Sequence, residues 1–277
     1  MIFIKIIRDD GAILNVGDGT EEYELLDKFG TSNVEVERFY DEKGLGFGDW
    51  KSGERIKSRQ FGYKIRAHKS LSSARRFTSF FFNMLRRYRI ESYINGREVY
   101  IEADLQKIKS TEDLYKIEDI DLTFYAADPY WKSLSDTTRS FYTQSALWHY
   151  PYAFVEPNPT LPANAYTVYE RINTNQTAYV YNDGDAPAEF TITINGLVSN
   201  PEIRINDSVI KYKGTVESGQ KLFIDAANAV YTIDGKNAMK DMIVTGEPTL
   251  KVGDNTLISN VAMFGTVNYF KLYNGDM

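Results

Sequence analysis

The sequence predicts a chain of two parts, an α+β N-terminal domain that is rich in strands with one main helix, and an all-β C-terminal domain. One stretch has the three- and four-residue apolar spacing of an amphipathic helix, whereas the rest consists of short alternating runs that end in Asn-Gly or Asp-Gly turns. The two patterns meet near Trp131. We therefore predict an N-terminal domain over residues 1–131, a connector over 132–165 and a β-sandwich over 166–277.

The stretch DLTFYAADPYW, Asp121 to Trp131, marks the predicted hinge between the domains. Pro129 fixes its own φ and drives Asp128 toward an extended conformation. A strand that arrives through Leu122 and Phe124 is therefore expected to end before Pro129.

The stretch Ser70 to Arg89 has the best helical pattern in the chain. Ser70 is a candidate N-cap, and Arg86, Arg87 and Arg89 are expected near the negative end of the helix dipole. The prediction is a helix packed on a sheet, with its remaining surface available to a neighbouring subunit. Its predicted apolar stripe is Leu71, Ala74, Phe77, Phe81, Met84, Leu85 and Tyr88.

Strands are predicted around this helix, over Ile2–Ile7, Glu35–Tyr40 and Arg59–His68. Asn95-Gly96 predicts a tight hairpin between Ser92 and Leu105. Several glycines surround Phe47 and Trp50 in DEKGLGFGDW, but no Gly-Lys-Ser/Thr follows them. This stretch therefore predicts a loop or a hairpin tip rather than a nucleotide site.

Composition and charge exclude several classes of protein. The chain has 277 residues, 43% of them hydrophobic and 25% charged, which is typical of globular proteins. Cysteine is absent, so disulfides, thiolate metal sites and cysteine nucleophiles are excluded. No run is long enough to span a membrane and the first residues do not resemble a signal peptide, so we expect a soluble, unprocessed protein. The net charge of −6 argues against general nucleic-acid binding.

The charges are arranged in blocks. Met1–Trp50 holds 5 basic and 12 acidic residues, Lys51–Arg97 holds 13 and 2, and Glu98–Trp131 holds 3 and 9. The simplest interpretation is neutralisation inside one domain. A second is contact between the acidic face of one copy and the basic face of the next, and a third is a path for nucleic acid.

The connector is rich in proline and aromatic residues. Four of the eight prolines fall between Pro151 and Pro162, beside Trp148, Tyr150 and Tyr152. These rings are expected to pack in a core or between domains, or to form a shelf that stacks on sugar rings.

The remainder of the chain is consistently β. Asn182-Asp183-Gly184, Asn195-Gly196 and Asp234-Gly235 supply turns between short alternating runs, and Asn195-Gly196 is expected to join a hairpin. Many short strands without an intervening helix predict a β-sandwich.

The ordered phrases LTFYAADPYW, VYNDGDAPAEFTITING, IRINDSVIKY, LFIDAANAVYTIDGKNAM and LKVGDNTL resemble those of the distal tail proteins of long non-contractile-tailed bacteriophages, over nearly the whole chain. The resemblance implies a hexameric ring at the tail tip, with N-terminal domains forming a belt around the channel and galectin-like sandwiches outside it. The implied partners are the chain itself, the tail tube protein, the tail-tip hub or tail-associated lysin, and receptor-binding proteins. The implied location is the virion tail tip, assembled in the host cytoplasm, with DNA passing through the ring.

With this resemblance, the charge blocks and the glycine-rich stretch become candidates for the subunit interface. The expected interface residues are Phe47, Trp50, Arg75, Arg76, Arg86 and Arg87.

No catalytic residue, cofactor or metal site is predicted. His68 and His149 are the only histidines, and no nucleophile-elbow phrase accompanies them. Asp183 with Asp185 and Asp119 with Asp121 are close in sequence, but we expect solvated turn carboxylates. The alternative function is a glycan-binding adhesion module that recognises a bacterial surface polysaccharide through Trp148, Tyr150 or Tyr152.

Overall fold

The computed structural model of the chain describes residues 2–17, 22–43, 48–67, 71–82, 85–94, 96–110, 119–146 and 170–276. The chain divides into two compact units. Unit 1 comprises Met1–Ser135 and Lys271–Met277, and unit 2 comprises Asp136–Phe270.

Strands dominate both units. Unit 1 contains β1 (Ile2–Arg8), β2 (Ile13–Val16), β3 (Tyr23–Phe29), β4 (Val36–Glu42), β5 (Asp49–Ile56), β6 (Arg59–Ala67), α1 (Leu71–Phe80), β7 (Arg87–Ile94), β8 (Arg97–Ser110), β9 (Asp119–Ala126) and β10 (Trp131–Ser133). Unit 2 contains β11 (Thr137–Ser140), β12 (Tyr142–Ala146), β13 (Glu170–Asn182), β14 (Phe190–Asn195), β15 (Val198–Ser199), β16 (Glu202–Ile205), β17 (Ser208–Tyr212), β18 (Thr215–Val216), β19 (Lys221–Asp225), β20 (Val230–Ile233), β21 (Lys236–Asn237), a 3₁₀ turn at Met239–Asp241, β22 (Met242–Thr245) and β23 (Gly253–Tyr269). The last strand, β24 (Leu272–Tyr273), belongs to unit 1.

The main sheet of unit 1 curls until its two ends meet. Its strand order is β2-β1-β7-β8-β9-β6-β3, and β10 joins β8 to β24 beside this path. Gly17, just after β2, forms a parallel bridge with Glu24 of β3, and its amide donates to the Tyr23 carbonyl at 3.1 Å. Register shifts within the β3–β6 and β8–β9 pairs bend the strands where curling requires it. Because β2 and β3 meet at the Gly17 bridge, the sheet has no unpaired edge there.

An aromatic cluster fills the interior of this curled sheet. Phe61 and Phe124 stack at a centroid distance of 5.6 Å, and Trp131 lies 5.8 Å from Phe61. From α1 comes Phe77, whose ring is 5.2 Å from that of Phe81. All five side chains are at most 1% exposed. The short helix therefore contributes to the core of the sheet.

The helix is shorter than predicted. The prediction of one helix from Ser70 to Arg89 is wrong beyond Phe80, because β7 begins at Arg87. The amides of Phe81 and Phe82 bond three residues back, which tightens and ends the last turn. From Tyr88 onward every second residue is buried, and pairing with both β1 and β8 outweighs the helical spacing.

The predicted apolar stripe is thus only partly correct. Phe77 and Phe81 are buried as expected, and Tyr88 is buried on a strand. Leu85 is 96% exposed. Met84 and the candidate cap Ser70 lie outside the described residues, and so do the side chains of Leu71 and Ala74.

The cation at the carboxyl end of α1 also differs from the prediction. Arg8 of β1, rather than Arg86, Arg87 or Arg89, donates from Nη1 to the Phe80 carbonyl at 2.8 Å. Its guanidinium lies 5.1 Å from the centre of the Phe80 ring. The helix end is therefore capped by a residue that is distant in sequence.

The strand predicted through Leu122 and Phe124 is confirmed, and it ends at Ala126 before Pro129. The hairpin predicted at Asn95-Gly96 is confirmed by the pairing of Ile94 with Arg97, although Asn95 itself is outside the described residues.

The strands of unit 2 are organised by one long strand, β23. Its first half pairs with β13 and β16, and its second half pairs with β14 and β11. One sheet path runs from β21 through β14 and β23 to β22. The Ile233–Lys236 pairing confirms the Asp234-Gly235 hairpin, in which both turn residues have positive φ. The hairpin expected at Asn195-Gly196 is wrong, because β14 pairs with β19 and β23 while β15 pairs with β18.

The fold is therefore mostly strand in both units. Among the described residues, α1 is the only α-helix, so the α+β description of the N-terminal part is not confirmed.

Replacing Phe81 with Ala is expected to lower the free energy of unfolding of unit 1 by about 3–5 kcal/mol, because it empties part of the aromatic core. Hydrogen exchange of the unit 1 strand amides measures the change. The matched control is Phe82→Ala, whose side chain is 88% exposed and whose expected effect is within about 0.5 kcal/mol. Equal effects of the two substitutions would contradict the burial of Phe81 and the exposure of Phe82.

Candidate assembly surface

The connection between β3 and β6 carries a two-stranded ribbon, formed by β4 and β5. The ribbon runs from the Val36–Ile56 pair to the Glu42–Asp49 pair and forms a sheet of its own. Its strands pair with no other strand of the described chain. Because an isolated two-stranded ribbon is marginally stable in water, it is a good candidate for packing against another surface.

The basic residues of the ribbon and of its base are paired with nearby glutamates. Arg55 Nε lies 2.6 Å from Glu37 Oε2, and at the base Lys57 Nζ lies 2.8 Å from Glu35 Oε1. The hydrogen bond from Lys57 to Glu35 raises the pKa of that lysine. Lys51 also pairs with Glu54. The basic side chains of the ribbon are thus engaged within the chain, whereas its aromatic side chains are exposed.

The ribbon exposes several large apolar side chains. Trp50, predicted at an interface, is 62% exposed and Tyr40 is 58% exposed. Phe47 lies outside the described residues. The exposed large apolar residues of the ribbon are Val36, Phe39, Tyr40, Trp50 and Ile56.

Three of the four arginines predicted at the interface have acidic partners in their own unit. Arg76 lies 3.2 Å from Glu22, Arg86 lies 3.1 Å from Asp9, and Arg87 lies 3.9 Å from Asp104. Exposed pairs of this kind contribute little to stability. Arg75 is exposed on α1. The described part of unit 1 thus pairs residues of the basic block with residues of the acidic block in one chain.

The Arg8 guanidinium has a second role beside its contact with the helix. Its Nη2 donates to Asp10 Oδ2 at 2.7 Å, and its Nε contacts both carboxylate oxygens. Hydrogen bonding from Arg8, aided by the Ala12 amide, lowers the pKa of Asp10 from 3.8 to about 2.

A cleft of about 510 Å³ lies at the base of the ribbon. Its wall includes Asn33, Ser58, Gln60 and Gln106, and the two glutamine side chains are hydrogen-bonded at 2.9 Å. The guanidinium of Arg59, a further wall residue, bonds three backbone carbonyls. The wall also includes Glu35, whose carboxylate pairs with Lys57.

One of the carboxylates considered in the sequence, Asp119, is paired with an arginine. Hydrogen bonding from Arg66, at 2.7 Å, lowers the pKa of Asp119. Asp183 and Asp185 are exposed beside the turn that follows β13. No cluster of three or more potential metal ligands occurs among the described residues, and His68 and His149 lie outside them.

The aromatic residues proposed to stack on sugar, Trp148, Tyr150 and Tyr152, lie outside the described residues. The structure instead exposes Tyr179 and Tyr181 of β13, at 75% and 56%. The alternating run TAYVYN signals this outward pair in the sequence, since Ala178 and Val180 are buried.

The sequence analysis also missed the contacts that residues 271–276 make with the rest of unit 1. Lys28 pairs with the buried Asp276 at 2.9 Å, although 248 positions separate them. No local pattern in the sequence indicates such a pairing.

The fold and surfaces can now be compared with known proteins. Over 97% of this chain and 98% of that chain, the fold matches the crystal structure of the Dit protein of phage SPP1, with a TM-score of 0.68 and 14% identity. Chains of the phage P2 baseplate in its activated conformation, with Ca and with Sr, match at TM-scores of 0.54 and 0.53 and 14% identity, over 98% of both chains. The overall fold is therefore that of the SPP1 Dit protein and of these baseplate chains.

A family model matches the C-terminal part of the sequence. Residues 183–273 match the model of the siphovirus-type tail component, C-terminal domain. The resemblance to phage distal tail proteins is therefore confirmed. A comparison with curated proteins finds no match.

Titration of Asp10 tests the electrostatics of the turn between β1 and β2. Its pKa is expected at about 2, so its stabilising contribution is present above pH 3.8 and is lost as the pH falls toward 2. An NMR titration of the carboxyl group measures the midpoint. Arg8→Gln is expected to move the midpoint back toward 3.8, and an unchanged midpoint would refute the role of Arg8.

Proposed function

We propose that the protein is a structural component of a bacteriophage or prophage tail tip that forms a hexameric ring. The observation that carries this proposal is the tail-component match over residues 183–273, together with the fold similarity along 97% of the chain. The SPP1 relative is described as a paradigm of the hub adsorption apparatus in phages that infect Gram-positive bacteria. The ring would join the tail tube to the baseplate or tail-tip hub, including a tail-associated lysin, and to receptor-binding proteins.

Within this ring, unit 1 forms the belt and the sandwich of unit 2 is the galectin-like outer domain. The ribbon is the proposed contact with the next copy, because it exposes Tyr40 and Trp50 while its basic side chains are engaged within the chain. Phe47, Arg75, Arg76, Arg86 and Arg87 remain proposed interface residues. DNA passing through the channel meets the belt without sequence-specific contacts.

The proposed location is the virion tail tip, after assembly in the host cytoplasm. Among the described residues, no helix is long and apolar enough to cross a membrane. The function needs no catalytic group or cofactor.

Light scattering of the purified protein over a concentration and salt series tests the ring. A mass six times that of the 31.7 kDa chain is expected at high concentration.

The double variant Tyr40→Ser, Trp50→Ser is expected to raise the concentration at half-assembly by at least about tenfold, because aromatic residues at the centre of an interface contribute most to affinity.

The matched control for the ribbon variant removes two exposed tyrosines from unit 2, as Tyr179→Ser with Tyr181→Ser. Its half-assembly concentration is expected to equal that of the unchanged protein. A monomer at every concentration and salt would count against self-assembly of the isolated protein, and equal effects of the two double variants would count against the ribbon.

Glycan binding by unit 2 is the second candidate, and one observation favours it. Tyr179 and Tyr181 lie two residues apart on β13, so their rings emerge on one face roughly 7 Å apart. They pair across the sheet with Thr256 and Asp254, whose polar groups can bond sugar hydroxyls.

A glycan microarray tests this second candidate with the full chain. Binding that is lost in Tyr179→Ser, or in Trp148→Ala as the sequence suggested, is the expected result for an adhesion module. Binding that persists in both variants, or no binding to any bacterial polysaccharide, would contradict it.

A further inference from the structure

Residues 271–276 come after the whole of unit 2 in the chain, yet they complete unit 1. Within β24, Tyr273 pairs with Trp131 and Leu272 pairs with Lys132. The Ser133 amide donates to the Lys271 carbonyl at 2.9 Å, and the Lys271 amide donates to Ser133 Oγ at 3.0 Å. The segment is therefore held on β10 by strand pairing and by these two hydrogen bonds to Ser133.

The buried Arg59 depends on this segment. The residue is 4% exposed, and its guanidinium donates to the carbonyls of Pro129, Gly30 and Asn274. Burial lowers its pKa, whereas the nearby charge of Asp276 raises it. Removal of residues 271–276 would leave a buried cation with an unpaired donor and without its nearest negative charge, which is a costly state.

Asp276 forms the most deeply buried ion pair in the described chain. Its side chain is fully buried, and Lys28 Nζ lies 2.9 Å from each carboxylate oxygen. Ser92 Oγ is 3.4 Å from Oδ2, and the Asp276 amide donates to the Thr31 carbonyl at 3.2 Å. Loss of one partner from such a pair strands the other charge in the interior.

The segment also packs closely against the loop that follows β3. A Cβ added at Gly275 would lie 2.0 Å from the carbonyl oxygen of Ser32, so the two backbones are in direct contact. The Tyr273 ring lies under the Arg97 guanidinium, 4.6 Å from its centre. Only glycine fits at position 275 without displacing the loop that follows β3.

We propose that residues 271–276 act as a folding clasp, so that unit 1 reaches its native form only after the ribosome has synthesised all of unit 2. Before that point Arg59 lacks one of its three carbonyl acceptors and Lys28 lacks its carboxylate partner, and the ends of β3 and β6 stay open to water. Those strand ends also carry the base of the ribbon. Given the ring of the proposed function, a chain that stops within unit 2 has an incomplete unit 1 and is excluded from assembly.

Hydrogen exchange with mass spectrometry tests the clasp. The full chain is compared with a chain that ends at Phe270. Amides of β3, β6 and β10 are expected to exchange at least about 100-fold faster in the shortened chain, because loss of one partner leaves buried charge uncompensated. Amides of β14 and β19 in unit 2 are expected to keep their protection. A synthetic peptide of residues 271–277 is expected to restore the protection of unit 1.

Point variants of the full chain separate the contacts of residues 271–276 from any general effect of truncation on folding. Gly275→Ala and Asp276→Asn are expected to accelerate exchange in the same three strands. The matched controls are Gly53→Ala, where an added Cβ meets only Phe39 at 3.6 Å, and Asp207→Asn in an exposed turn. Both controls are expected to leave exchange unchanged.

Unchanged protection of unit 1 in the shortened chain would overturn the clasp, as would an equal loss of protection in both units. The exchange measurement does not require ring formation, so a monomeric protein with the expected exchange pattern would contradict the ring and retain the clasp.

Discussion

The guanidinium of Arg59 is the interaction on which the organisation of unit 1 depends. Its three acceptor carbonyls come from the turn after β3, the turn before β10 and the segment after unit 2. A buried arginine whose three nitrogens each donate to a different carbonyl fixes three separate stretches of chain in one geometry. Gly30, one of these acceptors, has a φ of 70°, and an added Cβ there would lie 2.3 Å from the Gln60 carbonyl. The base of the ribbon is therefore held rigidly where β3 and β6 pair.

This arrangement separates two kinds of surface in one unit. The interior of unit 1 is closed by the curled sheet and filled with aromatic rings, so it has no space for a partner. The ribbon extends from this rigid base, and its only strand partners in the described chain are its own. A rigid base with an exposed aromatic extension suits a subunit that must meet identical copies at a fixed angle.

Local patterns in the sequence predicted much of the fold. Period-two alternation predicted the strand through Phe124, and Asn95-Gly96 and Asp234-Gly235 located hairpins, because both signals act over a few residues. The same turn signal at Asn195-Gly196 was wrong, because the strands on either side of it pair elsewhere. The helix prediction failed beyond Phe80 because Tyr88 fits a helical stripe and a buried strand position equally well, and pairing with β1 and β8 decides between the two. Secondary structure at such positions is set by distant strands.

The candidate surfaces were less predictable. The clasp joins Lys28 to Asp276 through the closed topology of unit 1, and a single sequence contains no signal for such a contact. The charge blocks were visible in the sequence, but the positions of Arg76 and Arg86 beside Glu22 and Asp9 required the fold. Trp50 was identified from its glycine-rich neighbourhood, and its exposure on a free ribbon is the feature that the assembly proposal uses.

Single-particle electron microscopy of the purified protein tests whether the chain forms a ring through its ribbon. The sample is taken at a concentration where light scattering gives a mass above that of one chain. We expect a closed ring with six-fold symmetry in which the ribbon of each unit 1 contacts the next copy. A two-fold dimer, or a ring whose subunits meet only through unit 2, would contradict it.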